Sequence, residues 1–253
     1  MNNIRIILIR ELKLKTRWKP FMVSLVLPPL IYLIFVGTGF SKNFSFIFYK
    51  EINISYLTFL IPGIIVMQIF NIFGYCGSMV SNEVKWGIYK LFKLYNVKKW
   101  EYLIGKMISE SIILFLQVIG IILVGGIINQ DFLRFLGLTK LFLLILFIFI
   151  SLTLIVSLGI IFGFLFPDEQ KRSFFFSLFT LPLIFCSSIF YPMEKLPLWF
   201  KIPAYINPLT HLSNGIRDLL IIGMDLMFFK TIIIIIIFSI LSFFVCMKIM
   251  EVK

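Results

Sequence analysis

The stretch YPMEKLPLWFKIPAYINPLTHLSNGIR, residues 191–217, interrupts a chain whose other long runs are apolar enough to live in lipid. Pro192, Pro197, Pro203 and Pro208 stand among Tyr191, Trp199, Phe200 and Tyr205. The stretch closes on His211, the single histidine, and Arg217. Proline lacks a backbone donor and breaks helices, whereas Trp and Tyr favour the membrane–water boundary. The segment is therefore expected to lie along or dip into the interface as broken helical pieces. What flanks it decides the fold.

Outward from that stretch, the 253 residues are 60% hydrophobic with 31 Phe, and the mean hydropathy is +1.03, outside the range of soluble domains. A bilayer core is crossed by about 20 apolar residues, and a charge at its centre costs about 2.5–3.5 kcal/mol on insertion scales. Charge-free runs of suitable length occupy residues 21–40, 56–80, 111–128, 141–166, 174–190 and 231–247. The period-two alternation of a membrane barrel is absent. The expected fold is an all-α membrane protein, one domain over 1–253, with six transmembrane helices.

The net charge of +12 would suggest nucleic acid in a soluble protein, but the cations flank the apolar runs. Arg5, Arg10, Lys13, Lys15, Arg17 and Lys19 precede the first run. Lys85, Lys90, Lys93, Lys98, Lys99 and Lys106 follow the second. Lys171 and Arg172 follow the fourth, and Lys248 and Lys253 the last. The positive-inside rule places all of these, and both termini, in the cytoplasm, with no nucleic-acid partner. The basic start and first apolar run look superficially like a signal peptide. The run is too long, however, and no A-x-A site follows, so it is expected to stay.

Residues 1–20 contain an amphipathic helix expected to lie under the lipid headgroups. At 100° per residue, Ile4, Ile7, Leu8, Leu12, Leu14 and Trp18 share one face, opposite Arg10, Lys13 and Arg17. Glu11 and Lys15 fall inside the apolar stripe, four apart, a spacing that lets them pair. Either the pair snorkels or Glu11 meets a cytoplasmic partner. The loop 81–103 is too apolar for water: Trp86, Tyr89, Leu91 and Phe92 need cover. A short helix resting on another protein would supply it, as would the membrane underside, where basic clusters bind anionic lipid. The short charged loop at residues 167–172 reads as a turn or a second small contact.

Chemistry is sparse. One histidine precludes H-E-x-x-H, and Cys76, Cys186 and Cys246 sit in separate apolar runs without ligand spacing, so no metal is expected. Neither a G-x-S-x-G elbow nor a P-loop occurs, so ATP must be handled elsewhere. Gln68 and Asn71 share a helix face, either to line a path or to bond between helices.

Three motifs carry a family resemblance. The first is Thr180, Leu183, Cys186-Ser187, Ile189, Leu196-Pro197, Pro208-Leu209, His211 and Arg217, including an intact P-L-x-H-x5-R. The second is Tyr56-Leu57-x-Phe59-Leu60-x-Pro62-Gly63. The third is Glu83-x-Lys85-Trp86-Gly87-x-Tyr89-Lys90-Leu91, followed by Gly105-Lys106. Together they resemble the permease subunit of a type-2 ATP-binding-cassette transporter. Two departures stand in the third motif: Lys85 lies one place later than the usual Arg, and Lys90 replaces the second acid.

The resemblance implies a multi-pass subunit of the cell membrane that pairs with itself or a second permease above two ATPase subunits. ATP and Mg would be bound by those subunits, and none by this chain. Glu83, Lys85, Trp86, Gly87, Tyr89, Lys90, Leu91 and Phe92 would form the coupling helix, with Trp86, Tyr89, Leu91 and Phe92 seated in the ATPase. Arg10, Glu11, Lys15 and Trp18 would belong to the connecting helix. Residues 191–227, with Pro197, Pro208, Leu209, His211 and Arg217, would form re-entrant outer helices gating the path. The implied cargo is an amphipathic drug, lipid or glycolipid/polysaccharide. For His211 the reading is a structural tie to broken backbone or, together with Arg217, contact with an anionic headgroup or glycan. A membrane-embedded lipid-modifying enzyme and an ATP-independent carrier are the alternative readings.

Overall fold

The computed structural model describes residues 2–17, 23, 27–41, 46–50, 52–193 and 197–252. Trp18, Leu196 and part of the first apolar run lie outside them. The chain begins with α1 (Asn2–Arg17) and α2 (Leu27–Phe40), then β1 (Phe46–Tyr49) and β2 (Ile52–Ser55). It continues through α3 (Tyr56–Lys85), α4 (Ile88–Leu94), α5 (Lys99–Ile128) and α6 (Leu138–Leu165). The last elements are α7 (Glu169–Phe185), α8 (Leu198–Ile206), α9 (Pro208–Arg217) and α10 (Leu226–Val252). Among the described residues, four helices are long and apolar enough to cross a bilayer: α3, α5, α6 and α10.

α3 is the central helix. It packs against α2, α5, α6, α7 and α9, and 78% of its apolar window is buried, against 22% for α10. α10 therefore leaves most of its apolar surface to lipid or to another subunit. Ser55 caps α3, its Oγ accepting from the Thr58 amide at 3.3 Å. Asn129, at the far end of α5, donates to Ser55 Oγ (2.7 Å) and Thr58 Oγ1 (2.9 Å), so both helices are fixed at that level. Thirty residues give α3 and α5 a length of about 45 Å, beyond a hydrocarbon core of about 30 Å. Their excess at the basic end is where α1 packs.

Two expectations need correction. The chain is nearly all helical, but β1 and β2 form an antiparallel hairpin pairing Phe46 with Ser55 and Tyr49 with Ile52. Ile47 and Tyr49 point inward while Phe46 and Phe48 are exposed, an alternation too short to register in the sequence. The fifth apolar run was expected to be helical over residues 174–190. Asp168 instead starts the helix earlier by capping it, Oδ1 accepting from the Gln170 amide at 2.8 Å, and the helix ends at Phe185.

Candidate functional site

At the basic end, α1 lies along the first turns of α5 beside the last turn of α3 and carries charge into a buried seam. Lys106 Nζ donates to Glu11 Oε1 (3.2 Å) and Glu83 Oε1 (3.3 Å). Arg10 reaches both carboxylates, and the Tyr102 hydroxyl donates to Glu83 Oε2. One level deeper, Lys15 Nζ donates to Glu110 Oε1 (2.7 Å) and Ser109 Oγ (3.0 Å). Three cations thus face three carboxylates, and all but half-buried Arg10 are sealed from solvent. Burial disfavours the Arg10 charge, but Glu83 and Glu11 outweigh it and hold its pKa above the ordinary value.

Glu11 and Lys15 were expected to pair with each other; each instead takes a partner on α5, because a buried charge must be matched where it lands. Their stripe now faces α5, leaving Leu14 exposed rather than within the apolar face. Glu11 Oε2 is buried without a hydrogen-bond partner. Lys106, Glu110 and Tyr102 are the members whose pairing sequence reasoning missed. The signal was a charged pair four apart at the entry of an apolar run.

The turn from α3 into α4 passes through Gly87 at φ 72°, a left-handed conformation that side chains resist. It aims two faces of α4 in different directions. Trp86 is 68% exposed, and Leu91, Leu94 and Tyr95 also face out, with Lys85 and Lys90 beside them. Tyr89 does not join them, which corrects its expected seat in a partner. Its ring packs edge-on against Phe164 and Tyr102, and its hydroxyl donates to the Met250 carbonyl at 3.2 Å. Burial pushes its phenol up to about 12. Phe92 is also turned inward, edge-on to Tyr102 and beneath the Arg10 guanidinium.

The opposite end is built around Arg217, which is completely buried. Its Nε donates to the Phe59 carbonyl (2.9 Å) and Nη2 to the Ile189 carbonyl (2.8 Å), while Nη1 reaches Ser188 Oγ and Asn214 Oδ1 (3.4 Å each). The guanidinium also stacks over the Phe59 ring at 3.7 Å. Tyr56 donates to the Phe190 carbonyl at 3.3 Å, and a methyl on Gly63 would collide with the Ile189 carbonyl oxygen. The two motifs are therefore one object in space. Asp218 follows, accepting from the Tyr49 hydroxyl (2.7 Å) and Lys50 Nζ (2.8 Å) to hold the hairpin.

The prolines start helices here as well as interrupt them. Pro197 precedes α8 and Pro208 opens α9, where the missing donor costs nothing. Leu209 is buried behind it. Asn207, not singled out from the sequence, caps α9 by accepting from the Leu209 amide (2.9 Å). Its Nδ2 donates to the Leu183 (2.6 Å) and Cys186 (3.2 Å) carbonyls. His211 Nε2 lies 2.9 Å from the Tyr205 carbonyl, which only accepts, so this nitrogen carries the proton.

Midway along α3, Gln68 is buried and Asn71 is exposed, with Asn71 Nδ2 donating weakly to Gln68 Oε1 at 3.4 Å. Asn71 lines a cavity of about 310 Å³ with Tyr75, Ser78, Arg172 and Phe176, between α3 and α7. No cluster with the makings of a metal site occurs among the described residues.

Comparison with known proteins bears on both ends. The ABC-2 type transporter family matches residues 2–221. The chain belongs to that family. A transport permease, ycf38, of Cyanophora paradoxa is 28% identical over 84% of this chain and 72% of its own length. The daunorubicin resistance ABC transporter permease protein DrrB1 of Streptomyces coeruleorubidus is 25% identical over 79% of this chain and 68% of its own. A multidrug ABC transporter permease of Escherichia coli K12, YbhR, is 24% identical over 64% of this chain and 43% of its own. This ABC-2 protein is a multi-pass membrane permease subunit of an ABC transporter.

Proposed function

We propose that this permease subunit serves an ATP-driven exporter, pairing with a second permease above two separate ATPase subunits that bind ATP and Mg. In this reading the chain crosses the cell membrane six times, α2 and α7 completing the four long helices. Both termini and the basic end face the cytoplasm, and residues 191–227 form the re-entrant outer helices. The observation that carries the reading is the outward face of α4: Trp86, Leu91, Leu94 and Tyr95 stand exposed a few residues past Glu83 of the buried ionic seam. Large aromatic and aliphatic side chains clustered in water mark an interface and anchor it when covered. A partner gripping α4 would pull on Glu83 and so on α1 and α5 together.

The cargo favoured is an amphipathic drug, lipid or glycolipid. Two relatives are named for drug resistance or multidrug transport, and the cavity beside Asn71 mixes polar groups with Phe176 and Tyr75. The test is co-purification with a co-expressed ABC ATPase. Wild type should retain it, and the double variant Trp86→Asp/Leu91→Asp should lose it while remaining folded. Undiminished binding by the double variant would sink the α4 interface.

A further inference from the structure

We propose that the pocket enclosed by α4, the start of α5 and the end of α10 binds the headgroup of an anionic phospholipid. The cavity measures about 490 Å³. Its floor is apolar and aromatic, from Tyr89, Phe92, Met247 and Met250, and its rim is basic, from Lys93, Lys98 and Lys99. Lys99 is engaged by Glu251 and Lys98 lies beside Glu101, which accepts from its amide at 2.8 Å, whereas Lys93 forms no ion pair among the described residues. Lys93 Nζ sits 5.4 Å over the Tyr89 ring, poised at the mouth rather than extended into solvent.

Charge selects an anion and the floor selects one with an apolar portion. The pocket's place in the fold selects a lipid. It opens where α5 and α10, two helices long enough to span, reach their basic ends, with half-exposed Trp100 on its wall. Trp is the residue of the headgroup layer, and lysines just inside a bilayer draw anionic lipids. One turn back along α10, Phe244 is exposed and apolar, as an acyl chain descending from the pocket requires. The outward face of α4, Leu91 and Leu94, is on the other side of that helix from Tyr89, Phe92 and Lys93. A lipid in the pocket and an ATPase on α4 therefore do not compete.

The proposal rests on the reading that the basic end lies at the inner membrane surface, but not on ATPase docking. The test is native mass spectrometry of the full chain purified from vesicles mixing phosphatidylglycerol with phosphatidylcholine, with and without the ATPase. Wild type should retain phosphatidylglycerol in preference to phosphatidylcholine in both preparations. Lys93→Ala/Lys98→Ala should reduce that preference about 30-fold, the factor for two lysines near a charged surface. Lys85→Ala/Lys90→Ala, on the same loop but outside the pocket, should leave it nearly intact. Equal loss in both variants would mean diffuse attraction and no site. Unchanged retention in the pocket variant, or displacement by inorganic phosphate, would overturn the proposal. Lipid retention that survives Trp86→Asp/Leu91→Asp while ATPase binding does not would keep the two readings separate.

Discussion

At the basic end Arg10, Lys15 and Lys106 are matched by Glu11, Glu83 and Glu110, side chain against side chain across three helices. At the other end Arg217 is held by the backbone carbonyls of Phe59 and Ile189 and by the Phe59 ring. The first arrangement can exchange partners as helices shift: Lys106 already shares two carboxylates, and Glu11 keeps an unused oxygen. The second cannot shift without breaking the backbone geometry that supplies its acceptors. Under the proposed function, the first arrangement suits transmitting displacement and the second suits resisting it.

The contrast breaks most readily at Lys106. Lys106→Ala leaves Glu11 and Glu83 buried with less than their matching charge and should cost about 3–5 kcal/mol in denaturant titrations of the purified chain. Lys106→Met combined with Glu11→Gln should recover much of that loss, since an unpaired buried charge is what is costly. A loss under about 1 kcal/mol for the single change, the size seen for exposed pairs, would mean the seam is wet.

Arg217→Ala should cost somewhat less, about 2–3 kcal/mol, because it orphans neutral acceptors rather than charges. Arg217→Lys should restore little, since three donors on a single nitrogen cannot reach acceptors that now sit on Nε, Nη1 and Nη2 of a planar fork. Full restoration would show that charge, and not the guanidinium fork, holds this end. Asn207→Ala should cost about 1–2 kcal/mol, the usual worth of a helix cap, read as a drop in thermal midpoint. Trp86→Asp/Leu91→Asp should move stability by no more than about 0.5 kcal/mol, as for surface changes, while abolishing ATPase association. A large stability loss there would mean α4 packs on its own chain.

Legibility in the sequence followed the same divide. The outer signature could be read because its prolines, His211 and Arg217 occur at fixed spacing in one segment, and Tyr56–Gly63 in another. That they meet through Arg217 and Phe59, 158 positions apart, had no local signal. The ionic seam was harder. Lys106 was read as one more cytoplasmic cation, the third apolar run starts just past Glu110, and Lys15 finds Glu110 only across 95 positions. Glu11 and Lys15 looked like partners because helical spacing alone cannot anticipate a better match on another helix. Tyr89 was misplaced because α4 has seven residues, too few for periodicity to reveal which face is covered. The hairpin escaped for the same reason of length.

The most direct test of the central claim is reconstitution. The chain, with and without its ABC ATPase, would be placed in liposomes and uptake of a fluorescent amphipathic drug followed on adding ATP and Mg. The account predicts accumulation only when both proteins and ATP are present, and its loss in Trp86→Asp/Leu91→Asp. Movement of the drug by this chain alone, without ATP, would contradict it.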